Sequence, residues 1–301
     1  MNILVSGSSG FIGSSLVPSL KNSGHHVIRL LRRQPRPGSP DLYWEPTSDA
    51  IANFPTEGID AVVHLAGENI AAGRWTAGRK AKIRDSRLRG TCLLCQSLVR
   101  MTRPPALVLS ASALGYYGDR GDEVLTEESP SGSGFLAELC RDWEAAILPA
   151  AERGLRVVIL RTGIVLGAMG GMLARILPIF KAGLGGPMGK GTHYLSWIDL
   201  DDYIGIVRHC LESPDLAGPI IVAAPAAVTN REFVKTLGRV LGRPTVLAMP
   251  AMAARLLFAE LADEALLASQ RADPVRVKAS GYQFLFPDLA SSLRHCLPSK
   301  T

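Results

Sequence analysis

No run of apolar residues in this 301-residue chain approaches the ~20 needed to cross a bilayer, although 47% of it is hydrophobic. A membrane-spanning helix is therefore not expected, while a full core and a small second domain are within reach. Cysteine is sparse and odd in number, five residues with no disulfide framework. Cys92-x-x-Cys95 has the spacing of a redox or zinc half-site but lacks a second pair, so both sulfurs are expected to fill a buried helical stripe. A secretory leader has no room, because an apolar strand starts at Asn2. A cytoplasmic protein with reduced thiols is the expectation. Aromatic residues are thin at 6%, which bears on the one strongly charged stretch. From Arg74 to Arg89 there are seven basic residues (Arg74, Arg79, Lys80, Lys82, Arg84, Arg87, Arg89) against Asp85, an excess equal to the whole net charge of +6. With only Trp75 interleaved, a nucleic-acid surface is disfavoured. A solvated helix face is one remaining reading. The favoured one has one or two of these cations neutralising a bound phosphate and the rest solvated.

What is present begins at residue 3. The apolar strand Ile3-Leu-Val-Ser6 runs into Gly7-x-x-Gly10-x-x-Gly13, followed by a helical pattern at Phe11, Ile12, Leu16 and Leu20. Gly7 permits a tight strand-to-helix turn, Gly10 lets backbone approach a pyrophosphate, and Gly13 lets helix and sheet pack closely. The helix start then offers unpaired N–H groups and positive partial charge to phosphates. Strand before and helix after make this a dinucleotide site rather than an ordinary glycine turn, with Gly7, Ser9, Gly10, Phe11, Ile12 and Gly13 as its candidates.

Strand-like runs at Asn2–Ser6, His26–Leu31, Ala61–Ala66, Ala106–Ser110 and Arg156–Leu160 alternate with helical stretches at about 11–23, 78–101 and 135–153. That alternation predicts an α/β fold, a Rossmann-like doubly wound parallel sheet. A smaller, mostly helical region on the substrate side is expected after it. The binding domain is assigned to 1–165, with its sheet completed by about 198–225. Residues 166–197 and 226–301 form the roof, with a small C-terminal domain from about 250. Further helices are expected near 200–212 and 230–241, with a strand at Pro219–Ala223.

The strand His26–Leu31 should end beside the adenosine ribose. An NAD-preferring site would carry Asp or Glu there to accept from the 2′-hydroxyl. This chain carries Arg32 and Arg33, and the next acid, Asp41, is too far along. Two arginines suit the 2′-phosphate of NADP(H), each charge-assisted bond being worth ~1.5–3 kcal/mol. The other reading is two solvated loop arginines. The strand at Ala61 ends in Leu65, Ala66 and Gly67, small enough for a nucleotide to lie on the backbone.

These residues resemble the extended (atypical) short-chain dehydrogenase/reductase superfamily, its NAD(P)-dependent epimerase/dehydratase branch, and within it the "epimerase family protein" group. The resemblance spans nearly the whole chain. It includes the glycine turn, His64-Leu-Ala-Gly-Glu-Asn-Ile70, Ser86-Arg-x-x-Gly-Thr91, Ser110-Ala-Ser112 with Tyr116-Tyr117-Gly118, Trp143-Glu-Ala145, Arg161-Thr-Gly-Ile-Val-Leu-Gly167 and Trp197-Ile-x-x-x-Asp202. The stretch Ser269-Gln270 … Pro274 … Gly281-Tyr282 … Phe286-Pro287 is similar to that group's own small C-terminal domain. The resemblance implies that Leu65, Ala66 and Ser110 lie along the dinucleotide, Lys82 and Arg87 near its phosphates, and Val165 against the nicotinamide. It also implies pairing into a homodimer through two helices of the large domain.

One departure stands out. Active members of the superfamily use a serine with Tyr-x-x-x-Lys, the phenol acting as general acid/base and the ammonium lowering its pKa. Ser112 keeps the serine position, but the expected Tyr and Lys read Phe135 and Leu139. Neither can exchange a proton. The candidates for an alternative acid are Tyr116 and Tyr117, then His193, Glu138 and Cys140. Alternatively the hydride acceptor takes its proton from water, or the protein is a catalytically silent NADP(H)-dependent regulator or scaffold linked to cell division. The expected function is an oxidoreductase or epimerase-like enzyme acting on a small molecule, with no metal, nucleic-acid or membrane partner. Gly183, Gly185, Gly186, Gly189 and Gly191 are expected to make its roof pliable, with Lys190, His193, Tyr194 and Trp197 as substrate contacts.

Overall fold

The computed structural model describes residues 1–48, 50–51 and 53–297. In chain order its elements are β1 (Asn2–Ser6), α1 (Phe11–Asn22), β2 (His26–Leu31), β3 (Leu42–Tyr43), β4 (Ala61–His64), α2 (Ala77–Val99), β5 (Leu107–Ala113), β6 (Val124–Leu125), α3 (Phe135–Glu152), β7 (Arg156–Thr162), β8 (Ile164–Leu166) and α4 (Gly171–Lys181). There follow β9 (Tyr194–Leu195), β10 (Trp197–Asp199), α5 (Leu200–Glu212), β11 (Gly218–Val222), β12 (Val228–Thr229), α6 (Asn230–Leu241), α7 (Ala251–Phe258), β13 (Arg271–Ala272), α8 (Val275–Ala279) and α9 (Leu289–Cys296).

Seven strands form one parallel sheet in the order β11-β7-β5-β4-β1-β2-β3. The chain winds outward from β1 through β2 and β3, then returns to β4 and winds the other way. The order therefore reverses between β1 and β4, and open α/β sheets bind ligands beyond the carboxyl ends of such a pair. Both sheet faces are covered, which is why these strands are apolar on alternate and intervening positions alike. Ile3, Val5, Val63 and Leu109 pack with Leu16 and Leu20 of α1 and with Tyr203, Ile206 and Val207 of α5. Leu4, Val62 and Val108 point the other way, against Leu94 and Leu98 of α2 and Ile147 of α3. A third cluster joins α4, α6 and α9 through Leu173, Phe180, Trp197, Phe233, Leu237 and Leu293.

The sequence pattern and the structure differ at element ends, for physical reasons. The strand at Ala61 stops at His64, after which the Leu65 N–H is shared between the Ser6 carbonyl and hydroxyl and the Ala66 N–H donates to that hydroxyl. The strands ending at Ser110 and Leu160 run on, since β5 and β7 stay paired out to Ala113 and Thr162. Cys95 is buried in α2 but Cys92 is exposed, three residues being short of a full helical turn. Of the roof glycines, Gly185 and Gly186 serve close packing, while Gly183, Gly189 and Gly191 take up positive φ. A Cβ on Gly185 would lie 2.6 Å from the Phe180 ring, and one on Gly186 would overlap the Leu247 carbonyl. Among the described residues, no helix is long and apolar enough to cross a membrane.

Candidate functional site

The turn after β1 is steric necessity at two positions. Gly7 sits at φ +68°, and a Cβ there would lie 2.7 Å from the Leu65 carbonyl carbon. A Cβ on Gly13 would overlap the Gly7 carbonyl oxygen. The turn is pinned by Gly10 N–H donating to Gly7 O at 3.0 Å. Helix α1 starts at Phe11 with Gly10 as its cap, no side-chain cap bond and no acid in its first turn. Its positive end therefore stays uncompensated, open beside exposed Ser9. The Phe11 ring reaches the loop after β8, lying against Gly167, Gly170 and Gly171. That loop follows Val165, a half-buried residue of β8 beside Ile198.

The end of β4 is held by a buried polar chain. Ser6 Oγ lies 2.7 Å from His64 Nδ1, His64 Nε2 lies 3.0 Å from Thr91 Oγ1, and the Trp143 indole donates to the same Thr91 oxygen at 3.0 Å. Leu65 and Ala66 already donate to Ser6, so the Ser6 proton goes to Nδ1 and the ring's own proton to Thr91. Complete burial pushes the His64 pKa down to about 4, keeping the ring neutral. Ser110 is buried on β5 directly beside His64.

Two sets of cations lie near these strand ends, one on and just after β2 and one on α2. Arg29 is paired with Asp41, at 3.0 Å from Nε, whereas Arg32 and Arg33 are exposed and make no ion pair among the described residues. Arg87 is inserted beneath Gly67, donating to the carbonyls of Glu68 (3.0 Å) and Ile83 (3.2 Å), with its guanidinium 4.9 Å from the Trp143 ring. Burial lowers its pKa, and no carboxylate pairs with it among the described residues. Lys82 is exposed, 3.9 Å from Glu68.

Around Ser112 the arrangement differs from a free serine. Its hydroxyl donates to Glu144 Oε1 at 2.6 Å, and Glu144 is held by Arg161 through Nε (3.0 Å) and Nη2 (2.9 Å). Arg161 Nη1 also donates to the Tyr117 oxygen at 3.0 Å and the Glu127 carbonyl at 3.1 Å. Burial opposes the Arg161 charge, but Glu144 outweighs it and holds the pKa above its ordinary value. Tyr117 is fully buried, donates to the Thr126 carbonyl, and is pushed up to about 12 by burial despite Arg161. It is a structural phenol. Tyr116 is half-buried with Arg161 3.6 Å from its ring centroid, and its hydroxyl finds no hydrogen-bond partner among the described residues.

Phe135 opens α3 and lies edge-on to Trp75 at 5.1 Å, with Leu139 buried behind it in an apolar cluster that includes Leu261. Glu138 is exposed, and burial pushes the Cys140 thiol up to about 11. Trp197 is fully buried and its indole donates to the Ala226 carbonyl at 3.0 Å, so it is a core residue and not a substrate contact. His193 is half-buried with Nε2 enclosed and unpartnered among the described residues; burial lowers its pKa, opposed by Asp119 and the Leu266 backbone. Lys190 is exposed, and Tyr194 lies under Arg271.

Sequence reasoning passed over Glu144, Arg161, Glu68 and Glu264. For Glu144 and Arg161 the signal was a charge set where only apolar residues should fit: Glu144 between Trp143 and Ala145, and Arg161 closing the run Val157–Leu160.

A parallel sheet wound on both faces, with a glycine turn and an uncapped helix start at the point where its order reverses, defines a Rossmann-type nucleotide-binding fold. The family model described as "NAD dependent epimerase/dehydratase family" matches residues 3–224, and one described as "Domain of unknown function (DUF1731)" matches 249–296. The chain belongs to the NAD dependent epimerase/dehydratase family. It is 44% identical to an epimerase family protein of Mycobacterium bovis over 94% of this chain and 93% of that one. It is 36% identical to the human epimerase family protein SDR39U1 over 98% and 99%. A crystal structure of that human protein (isoform 2) with NADPH superposes at a TM-score of 0.90, with 34% identity, covering 98% and 99% of the two chains.

Proposed function

We propose that this protein binds NADP(H) and carries out oxidoreductase or epimerase-like chemistry on a small molecule with a non-standard acid/base. The observation carrying the cofactor reading is the pairing of an uncapped α1 start with two exposed arginines at the end of β2 that make no ion pair among the described residues. Gly7 and Gly13 let the turn close against the Leu65 and Gly7 backbone, which leaves the α1 start with no side-chain cap or acid of its own, so the residues present fit a pyrophosphate there. The NADPH in the human relative's crystal structure supports the same choice. When bound, the cofactor supplies or accepts a hydride at its nicotinamide. Around it the α1 N–H groups, Arg87 and Lys82 would hold the phosphates, Arg32 and Arg33 the 2′-phosphate, and Leu65, Ala66 and Val165 its rings.

Proton transfer then falls to Tyr116, whose hydroxyl has no hydrogen-bond partner among the described residues whereas Tyr117 donates to the Thr126 carbonyl, with the unpartnered Nε2 of His193 as the alternative. Ser112 has its proton directed to Glu144, so it meets a ligand as an acceptor. A silent, cofactor-dependent regulator is the second reading, favoured by the apolar packing of Phe135 and Leu139.

Calorimetry with NADPH and NADH tests the cofactor reading. Arg32→Ala/Arg33→Ala should cut the NADPH preference at least ~10-fold, from the loss of one charge-assisted bond. No saturation with either cofactor sinks the proposal. Oxidation of bound NADPH by a carbonyl, quinone or nucleotide-sugar panel, slowed in Tyr116→Phe, separates enzyme from regulator.

A further inference from the structure

The roof carries apolar side chains on its outer surface. Leu184, Val246, Leu247, Met252, Leu256 and Leu257 are all exposed, with Val246, Met252 and Leu256 at 78%, 75% and 76%. Backbone pairing brings these positions together. Leu247 N–H donates to the Gly185 carbonyl at 3.3 Å, Met249 N–H to the Pro187 carbonyl at 2.9 Å and Gly189 N–H to the Met249 carbonyl at 2.9 Å. Residues 185–189 and 247–249 therefore run side by side, and α7 starts just beyond them at Ala251. Met252 and Leu256 stand one turn apart on α7, while Ala254 is its buried residue. Arg74 donates to the Leu256 carbonyl at 3.3 Å and Lys80 pairs with Glu260 at 2.9 Å, which fastens α7 to the connection between β4 and α2.

The charges around this face have one sign. Residues 163–198 and 233–259, which contain all six apolar positions, hold no Asp or Glu. They hold Arg175, Lys181, Lys190, Lys235, Arg239 and Arg243, all exposed and without an ion pair among the described residues. The one other cation there, Arg255, is paired with Asp263. A second copy of the chain would set these cations against each other, so charge opposes a symmetric contact between copies. Side chains exposed to three-quarters also project outward instead of lining a groove, which suits a fluid apolar phase better than a preformed protein partner.

We propose that this face seats the protein on an anionic phospholipid surface. Met252, Leu256 and their apolar neighbours enter the headgroup boundary, and the surrounding cations meet lipid phosphates. No helix among the described residues is long and apolar enough to span a bilayer, but lying on one needs only an apolar face with a cationic rim. The proposal departs from the sequence-based expectation of no membrane partner, and it is independent of the NADP(H) reading.

The test is co-sedimentation of the full chain with phosphatidylcholine vesicles and with vesicles that also contain phosphatidylglycerol. Wild type should bind the anionic vesicles at least ~10-fold more tightly than the neutral ones, with the difference shrinking in high salt. Met252→Ser/Leu256→Ser should weaken binding to anionic vesicles at least ~10-fold through lost apolar burial. Lys181→Gln/Arg243→Gln should weaken it at least ~5-fold and narrow the gap between the two vesicle types. All four positions are exposed, so melting temperatures should match wild type, which separates a lost surface from a lost fold. Should the apolar pair fail that control, the charge pair decides. Wild type that sediments with neither vesicle, or equally with both, overturns the inference. So does a wild-type dimer that Met252→Ser/Leu256→Ser turns into a monomer in sedimentation equilibrium without vesicle binding, because the face is then a contact between copies.

Discussion

Burial decides what His64 can do before any ligand arrives. An imidazole enclosed between Ser6 and Thr91 stays neutral down to about pH 4, while in the unfolded chain it takes a proton near its ordinary 6.5. The unfolded state therefore binds more protons between those values, and stability is lost as pH falls from about 6.5 toward 4, by up to about 3 kcal/mol from this group. The Arg29-bound Asp41, held down to about 2 by bonds that outweigh its burial, acts in a lower window, below its ordinary 3.8. Denaturant titrations at a series of pH values should show the His64 slope in wild type. It should be flattened in His64→Gln, which does not titrate and is less stable near neutrality. An equal slope in both proteins would assign the acid sensitivity elsewhere.

Among the elements, α3 is unusual in borrowing its cap. Its start at Gly134 (φ +97°) has no side chain, and the carboxylate that accepts from Phe135 N (3.1 Å) and Leu136 N (3.0 Å) is Glu264, 129 and 128 residues further along. Negative charge at a helix start is stabilising, and a lost cap costs about 1 kcal/mol. Glu264→Ala should lower stability by that amount and speed hydrogen exchange at the Phe135 and Leu136 amides more than elsewhere in α3. Exchange unchanged at those two amides would contradict the capping role. The same contact fastens the C-terminal segment to the helix carrying Phe135 and Leu139, where the superfamily would place Tyr and Lys.

At the scale of the molecule, the Glu144–Arg161 pair ties together α3, β5, β7 and the turn bearing Tyr117. Both side chains are nearly dry, at 10% and 5% exposure, so removing one partner strands the other's charge in the core. Arg161→Met should cost about 3–5 kcal/mol in a melting or denaturant experiment, and Glu144→Leu added to it should recover part of that loss. A double variant no more stable than Arg161→Met would mean that the arginine's bonds to Tyr117 and Glu127 dominate instead.

The sequence alone determined the parallel sheet and the glycine turn, because both are local in their physics. Alternating apolar runs report strands and helices directly, Gly7 is required by its φ of +68°, and Gly13 by a clash of any Cβ with the Gly7 carbonyl six residues back. The absence of a proton-exchanging pair at Phe135 and Leu139 was equally plain. Only the tertiary structure decided which charges are free and which are engaged. Arg29 pairs while Arg32 and Arg33 find no ion pair among the described residues; Ser112 has its proton directed to a carboxylate; Tyr117 and Trp197 vanish into the core. Those outcomes depend on sheet register and helix packing bringing residues tens of positions apart within hydrogen-bond distance and away from water, which no local pattern encodes.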